Sequence, residues 1–435
     1  MKRISLSSIP AAMLLGFACA AAPAAAQSPG VCLSLTDAMS LAASRAPEVA
    51  GAEARLAEAE AEVQAARSLR RPQVSTFGRS SLGDTGLTSS QLENQLGVQV
   101  SQRLYDFGDA RLAEAAADNQ VDQRNYEIAA QQAESAQMLA DAYLTRLETL
   151  AVIDVVSERR DYFRRQRDAV TDLLARGGAT RADRAQIEAQ LANAEADALE
   201  LQFLADQSAT RIREYAGVDR LDLCDSETAS RSLAGEMAGL DTLDRLVQAA
   251  VSDNPMIGAR LSAVRSLEAR LDRARRNRLP VIEAVGIASY VYDDQREDWE
   301  GRDRLGVDVS VPLYTGRALN AQRDQAAAQL AAEQSALRTL QRDMREQAEI
   351  AFRRSISLEA QLIRREAVAS SQAEYFDAIA GEFEYGLGTL PDLVDARLAH
   401  ERAQIDVISA RFDWLRQKLE LLRLTGRTPR VATGE

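Results

Sequence analysis

The chain has 435 residues, a formal net charge of −13 and 27% charged residues, but only 5% aromatics. An acidic balance with scattered arginines argues against a nucleic-acid partner, which needs a basic patch. A chain of this length exceeds one ordinary core and favours two or three domains.

The first predicted element is a signal peptide, residues 1–26. Lys2 and Arg3 form a short positive region, an apolar run follows from Ile9 to Ala22, and Ala24-Ala25-Ala26 supplies the small residues before a cleavage site. Cys19 raises N-terminal lipidation, but Gly16 stands three residues before it, where a lipobox carries Leu. Cleavage leaves Cys32 and Cys224. An even pair in an exported chain suggests a disulfide, although spacing alone does not bring the two together. His400 is the single histidine and no ligand cluster surrounds it, so no metal is expected. No later stretch approaches the 18 apolar residues of a spanning helix, so any entry into a membrane is through strands.

From residue 27 one plan is written twice. Leu35-Thr-Asp-Ala with Pro47 answers Leu243-Asp-Arg-Leu with Pro255, 208 residues on; Arg70-Arg71-Pro72 answers Arg278-Leu279-Pro280. Leu104-Tyr105, Gly177 with Thr180, and Gly217 find partners 209 residues later in Leu313-Tyr314, Gly386 with Thr389, and Gly426. One offset held over the whole length is an internal duplication. The expected organisation is a first repeat over 27–217, a linker over 218–240, a second repeat over 241–426 and a tail over 427–435. Each repeat starts with a helical segment broken by its proline. Hairpins follow at about 73–105 and 281–314, then long helices at about 109–176 and 317–385. Return helices are expected at about 180–216 and 389–425. The long helices would each reach roughly 100 Å. Their Ala-rich composition suits close antiparallel coiled-coil packing. Gly177-Gly178 and Gly386-Leu387-Gly388 mark the turns.

The second strand of each hairpin alternates; the first, near 73–82 and 281–291, alternates less well. Leu96, Val98, Val100 and Leu104 share one predicted face with Gln102 interrupting; Leu305, Val307, Val309, Val311 and Leu313 share another. Period two over about ten residues is what an outer-membrane strand shows, and equally what a half-buried soluble sheet shows. In lipid, four strands cannot leave an open edge, so the chain would be a closed oligomer; three copies give twelve strands and a passage. The polar segments 83–92 and 292–303 would be the outer loops.

Together, Gln102-Arg-Leu-Tyr-Asp-Phe-Gly108, Val311-Pro-Leu-Tyr-Thr-Gly316 and Tyr385-x-x-Gly388 with Asp392-Leu-Val-Asp395-Ala-Arg397 resemble the TolC family of outer-membrane efflux and secretion channels, over essentially the whole mature chain. The first of these most resembles the branch serving type I protein secretion. The resemblance implies a mainly α homotrimer: an α-barrel of long antiparallel coiled-coil helices reaching into the periplasm, on a shared twelve-stranded transmembrane β-barrel. It implies a passive duct in outer-membrane lipid, docked by a periplasmic adaptor (membrane fusion) protein and an inner-membrane ABC or RND transporter. It also implies that Asp392 and Asp395 form an acidic ring at the periplasmic gate, with Gly177, Gly178, Gly386 and Gly388 in the tip turns. Capping of a helix start accounts for the same acids.

No catalytic site is expected. The two acids lie on a helix start rather than flanking a pocket, and no Ser-His, Cys-His or P-loop arrangement is present, so no cofactor follows. His400, Tyr143, Tyr162, Phe163, Phe352 and Phe376 read as helix-face or packing residues, and the tract Arg159–Arg167 as solvated rod surface ahead of the alternative of salt-bridge partners and adaptor contacts near the tip. The rival from another class is a soluble periplasmic coiled-coil adaptor or scaffold.

Overall fold

A computed structural model of the chain describes residues 32–84, 90–219, 221–293 and 298–428. The signal peptide, Cys19 and residues 429–435 of the tail lie outside the described residues.

The first repeat runs α1 (Leu35–Arg45), α2 (Pro47–Ser68), β1 (Gln73–Asp84), β2 (Ser90–Tyr105), α3 (Asp109–Ala175) and α4 (Arg181–Ala216). The second runs α6 (Leu243–Ser252), α7 (Pro255–Arg276), β3 (Val281–Asp293), β4 (Asp298–Ser310), α8 (Ala318–Glu384) and α9 (Leu390–Leu424), so the duplication is one of element order. Between them, α5 (Ser226–Glu236) occupies part of the segment read as linker, capped by Asp225, whose side chain accepts from the Thr228 N–H.

Local chemistry sets these boundaries. Pro47 and Pro255 each open a helix in its first turn, where their missing N–H costs nothing. Helices α3 and α8 are 67 residues each, about 100 Å. Both follow a residue in the left-handed region, Gly108 (φ 89°) and Arg317 (φ 72°).

The four strands form one antiparallel sheet in the order β1-β2-β3-β4, so the hairpins of the two repeats join through β2 and β3. The strands run further than the sequence suggested, into the segments 83–92 and 292–303 read as loops. At the other end β4 stops at Ser310, because Pro312 has no N–H for a ladder. A bulge between Arg103 and Tyr105 also changes the expected face: Tyr105, rather than Leu104, pairs with Ile282.

The helices bury three apolar clusters. The first gathers Leu35, Met39, Leu139, Tyr143, Ile212, Leu415 and Leu419 from α1, α3, α4 and α9. Each such side chain, withdrawn from water, contributes about 1.5–3 kcal/mol. The second joins Leu246, Ile257, Met344, Ala348 and Leu424, and the third lies near the helical turns. Alanine fills many interior positions, including Ala38, Ala42, Ala136 and Ala140, and lets helices approach closely. Because α3 packs against α7 and α9 of the other repeat, the repeats share one unit from Leu33 onward.

Candidate functional site

The sheet separates its two faces chemically. Paired residues share a face, so Val74, Val100, Gly286 and Leu305 form one row, and Gly78, Leu96, Tyr290 and Gly301 another. Val307 and Val309 continue this face, which is exposed: 68% at Val74, 57% at Leu96, 88% at Leu305. Aromatic pairs stand at its two ends, Tyr292 edge-on to Trp299 (5.5 Å) and Tyr105 edge-on to Phe107 (4.7 Å). The opposite face carries the charged and polar Ser75, Gln99, Arg304, Arg302, Glu300 and Asp308 around Phe77, Val285, Ile287 and Val291, of which Val285 and Val291 are buried. There Gln95 Nε2 donates to Ser289 Oγ (3.0 Å), which donates to the Arg302 carbonyl (2.9 Å). An apolar band about 25 Å tall with aromatic girdles is the lipid-facing signature of an outer-membrane barrel. Among the described residues, β1 and β4 each lack a partner on their outer edge.

The two strand-to-helix junctions differ. In the first, Arg103 lies between Asp109 (3.2 Å), Asp106 (3.5 Å) and Glu283 (3.6 Å). Arg273 of α7 holds Asp109 at 2.8 Å, and Arg276 donates to the Phe107 carbonyl at 2.9 Å. In the second, Leu313 and Tyr314 are 92% and 88% exposed.

At the far ends of the long helices the turns are alike. Gly177 (φ 76°) ends α3, with the Gly178 N–H on the Leu173 carbonyl at 2.8 Å. Gly386 (φ 74°) ends α8, with the Leu387 N–H on the Glu382 carbonyl at 2.8 Å. These are the crossed bonds of a glycine-closed helix end. Gly388 follows close against Phe383. Thr180 and Thr389 then cap α4 and α9, accepting from the N–H groups of Asp183 and Asp392. The Asp183 carboxylate returns a bond to the Thr180 N–H, and those Thr180 bonds hold its carboxyl below the usual range. Thr389 Oγ1 donates to Asp392 Oδ2 at 2.5 Å. Thr389 is therefore the cap, and the Asp392 carboxylate steadies its hydroxyl without itself accepting from a helix N–H. Asp392 and Asp395 are both exposed, while the intervening Leu393 and Val394 are buried with Phe163, Val170 and Ile187. The two acids thus share the face of α9 turned away from this chain's own core.

Above the turns lies a buried polar seam that the sequence reading missed. Arg159, in the tract read first as rod surface, is half-buried, pairing with Asp197 of α4 and with Glu401 of α9 at 3.0 Å. Arg397 lies over the rings of Tyr162 (5.3 Å) and Phe376 (5.5 Å), and His400 stacks on Phe376 at 5.9 Å. Burial raises the Glu401 carboxyl against the pull of Arg159 and Arg397; burial, with Arg397 beside it, lowers the His400 imidazole. The helix register of Arg397, Glu401 and Arg159 was visible in the sequence, but their common interior was not. Cys32 and Cys224 are both disulfide-bonded. Next to them Leu33 bridges Leu223, and the Tyr143 hydroxyl donates toward the Leu33 (2.8 Å) and Cys224 (3.0 Å) carbonyls. Among the described residues no group of three or more His, Cys, Asp or Glu could hold a metal, and no helix is long and apolar enough to cross a membrane.

Comparison with known proteins agrees with this geometry. The outer membrane efflux protein family matches twice, over residues 38–218 and 246–427. The outer membrane efflux protein BepC of Brucella suis is 24% identical over 368 residues, 84% of this chain and 79% of BepC. Among solved structures, CusC superposes with a TM-score of 0.78 at 15% identity, covering 91% of this chain and 92% of CusC. The Campylobacter jejuni CmeC outer membrane channel gives 0.75 at 12% identity, over 92% and 87%. Matched by the family over both repeats, the chain belongs to the outer membrane efflux proteins, the TolC family of outer-membrane export channels.

Proposed function

We propose that three copies of this chain close their sheets into one twelve-stranded barrel and their helices into a periplasmic duct, through which substrate leaves passively. The observation that carries this reading is the sheet: four strands, an exposed apolar face, and two open edges. An open edge in lipid leaves backbone groups unsatisfied at several kcal/mol each, and twelve strands enclose a passage where eight are filled by side chains. Apolar residues exposed along the helices support the same closure: Leu199 and Phe203 on α4, and Ile350, Ile356 and Ile363 on α8. With no nucleotide-binding loop, energy comes from a partner. A periplasmic adaptor and an inner-membrane transporter docked at the tip complete the path. The name of BepC and that of the matching family favour efflux; the Gln102–Gly108 wording favours protein secretion. Extraction of the full chain from outer membranes as a detergent-stable trimer is the expected result, and recovery as a soluble periplasmic monomer would overturn it. Cross-linking from the α8–α9 turn identifies the adaptor and pump.

Asp392 and Asp395 act as the selective ring at the entrance in this reading. Their exposure on a face unused by the chain's core supports it, and threefold symmetry would bring six carboxylates around one axis. A ring of acids favours cations. The double variant Asp392→Ala, Asp395→Ala is expected to raise single-channel conductance in planar bilayers and to weaken block by multivalent cations. Unchanged conductance and block would leave helix capping as their whole role.

A further inference from the structure

One carboxyl on the lipid-facing side of the sheet has no account so far. Asp303 pairs with Ala288, which pairs with Val98, which pairs with Thr76. That row belongs to the apolar face, between the Gly78–Leu96–Tyr290–Gly301 row and the Val74–Val100–Gly286–Leu305 row. Asp303 therefore stands inside the band, four residues from Trp299 at one end and six from Val309 at the other. It is exposed and, among the described residues, makes no hydrogen bond or ion pair. Its neighbours on this face offer nothing: Ala288, Gly301 and Leu305 have no donor side chain, and the Tyr290 ring leans over Gly301. An ionisable group at such depth is expensive and needs a partner.

Its place in the sheet says where that partner must be. Asp303 lies on β4, an edge strand, and the other edge is β1. Of the two edge strands, β1 carries the aliphatic hydroxyls of the apolar face, Thr76 and Ser80, on either side of Gly78, over which the Leu96 side chain leans; β2 adds Ser90 only at its outer end. The corresponding positions of β2 to β4 are mostly Leu, Val, Ala, Ile, Gly, Tyr and Trp. Resting on the reading that copies close through their sheet edges, we propose that Asp303 keys the seam. Its carboxyl accepts a hydrogen bond from a hydroxyl of β1, Thr76 or Ser80, on the next copy, and so fixes the register of β4 against that strand. Closing a barrel staggers its strands by a set shear, and a polar pair in an otherwise apolar seam penalises every slipped register.

Two measurements on the full-length protein in outer membranes test this. Asp303→Cys combined with Thr76→Cys or with Ser80→Cys is expected to give an oxidation-dependent ladder of dimers and trimers for one of the two. Absence of a ladder in both, while native gels still show trimer, overturns the seam assignment and leaves the trimer standing; absence of trimer in the wild type overturns the reading beneath it. The second measurement is the temperature at which the trimer dissociates on semi-native gels. Asp303→Asn is expected to stay near wild type, and Asp303→Leu to dissociate several degrees lower. A carboxyl that merely faced lipid would be relieved by leucine, so an unchanged or higher dissociation temperature for Asp303→Leu overturns the proposal.

Discussion

Glu401 shows how a buried charge works inside a helical rod. It is 3% exposed and ion-paired to Arg159, yet Oε2 has no partner. Burial raises its carboxyl above the ordinary glutamate range, so the folded chain holds a proton more tightly than the unfolded chain. The contribution of this group to stability therefore falls as pH rises from the ordinary value through the raised one. Glu401→Gln removes that slope, and its melting temperature relative to wild type is expected to climb as pH rises above the ordinary glutamate range. Glu401→Ala instead leaves Arg397 buried without this acid and half-buried Arg159 with Asp197 alone, at a cost of about 3 kcal/mol by thermal unfolding. Asp183 has the opposite sign: its carboxyl lies below the usual range, so its capping contribution is lost only at acid pH. Thr389→Ala removes the cap of α9 and is expected to cost about 1 kcal/mol.

At the scale of elements the repeats share an order but not their supports. Gly217 and Gly426 close α4 and α9 with φ of 63° and 66°. A Cβ at Gly217 would meet the flexible end of Arg45 at 3.2 Å, whereas at Gly426 it would meet the Asp253 carbonyl oxygen at 2.5 Å. Gly217→Ala is expected to cost about 1 kcal/mol of backbone strain. Gly426→Ala adds overpacking against fixed backbone and should reach roughly 3 kcal/mol, read as the difference between the two melting temperatures. The elements themselves were legible. Period-two alternation after Pro72 and Pro280 located the hairpins, and glycine-free runs located the long helices. The bulge at Arg103–Tyr105 and helix α5 were not legible, because each depends on pairing or packing rather than on local pattern; the early stop of β4 was signalled by Pro312, but the alternation was carried past it. The turn glycines could be named from sequence; that Asp392 bonds Thr389 while Asp395 stands free of the core needed the fold. The polar seam around Arg397 escaped for the same reason, since charges on three helices and an aromatic ring on a fourth meet only after they pack.

For the whole molecule, the faces of the sheet carry most of the argument. A half-buried soluble sheet would hide its apolar side, but here Leu305, Val307 and Val309 are 88%, 61% and 60% exposed. The composition had hidden this: a mean hydropathy of −0.26 describes the rod, whose residues outnumber the band.

The two unpaired edges also bear on inheritance. If every copy must lend one edge to each neighbour, a subunit that inserts but fails at its turn or seam is built into rings with normal ones. Co-expressed with wild type, such a variant should leave intact only a share of rings equal to the cube of the wild-type fraction. Export would then fall far more steeply than the dose of good subunits, and a defect in this chain would behave as dominant.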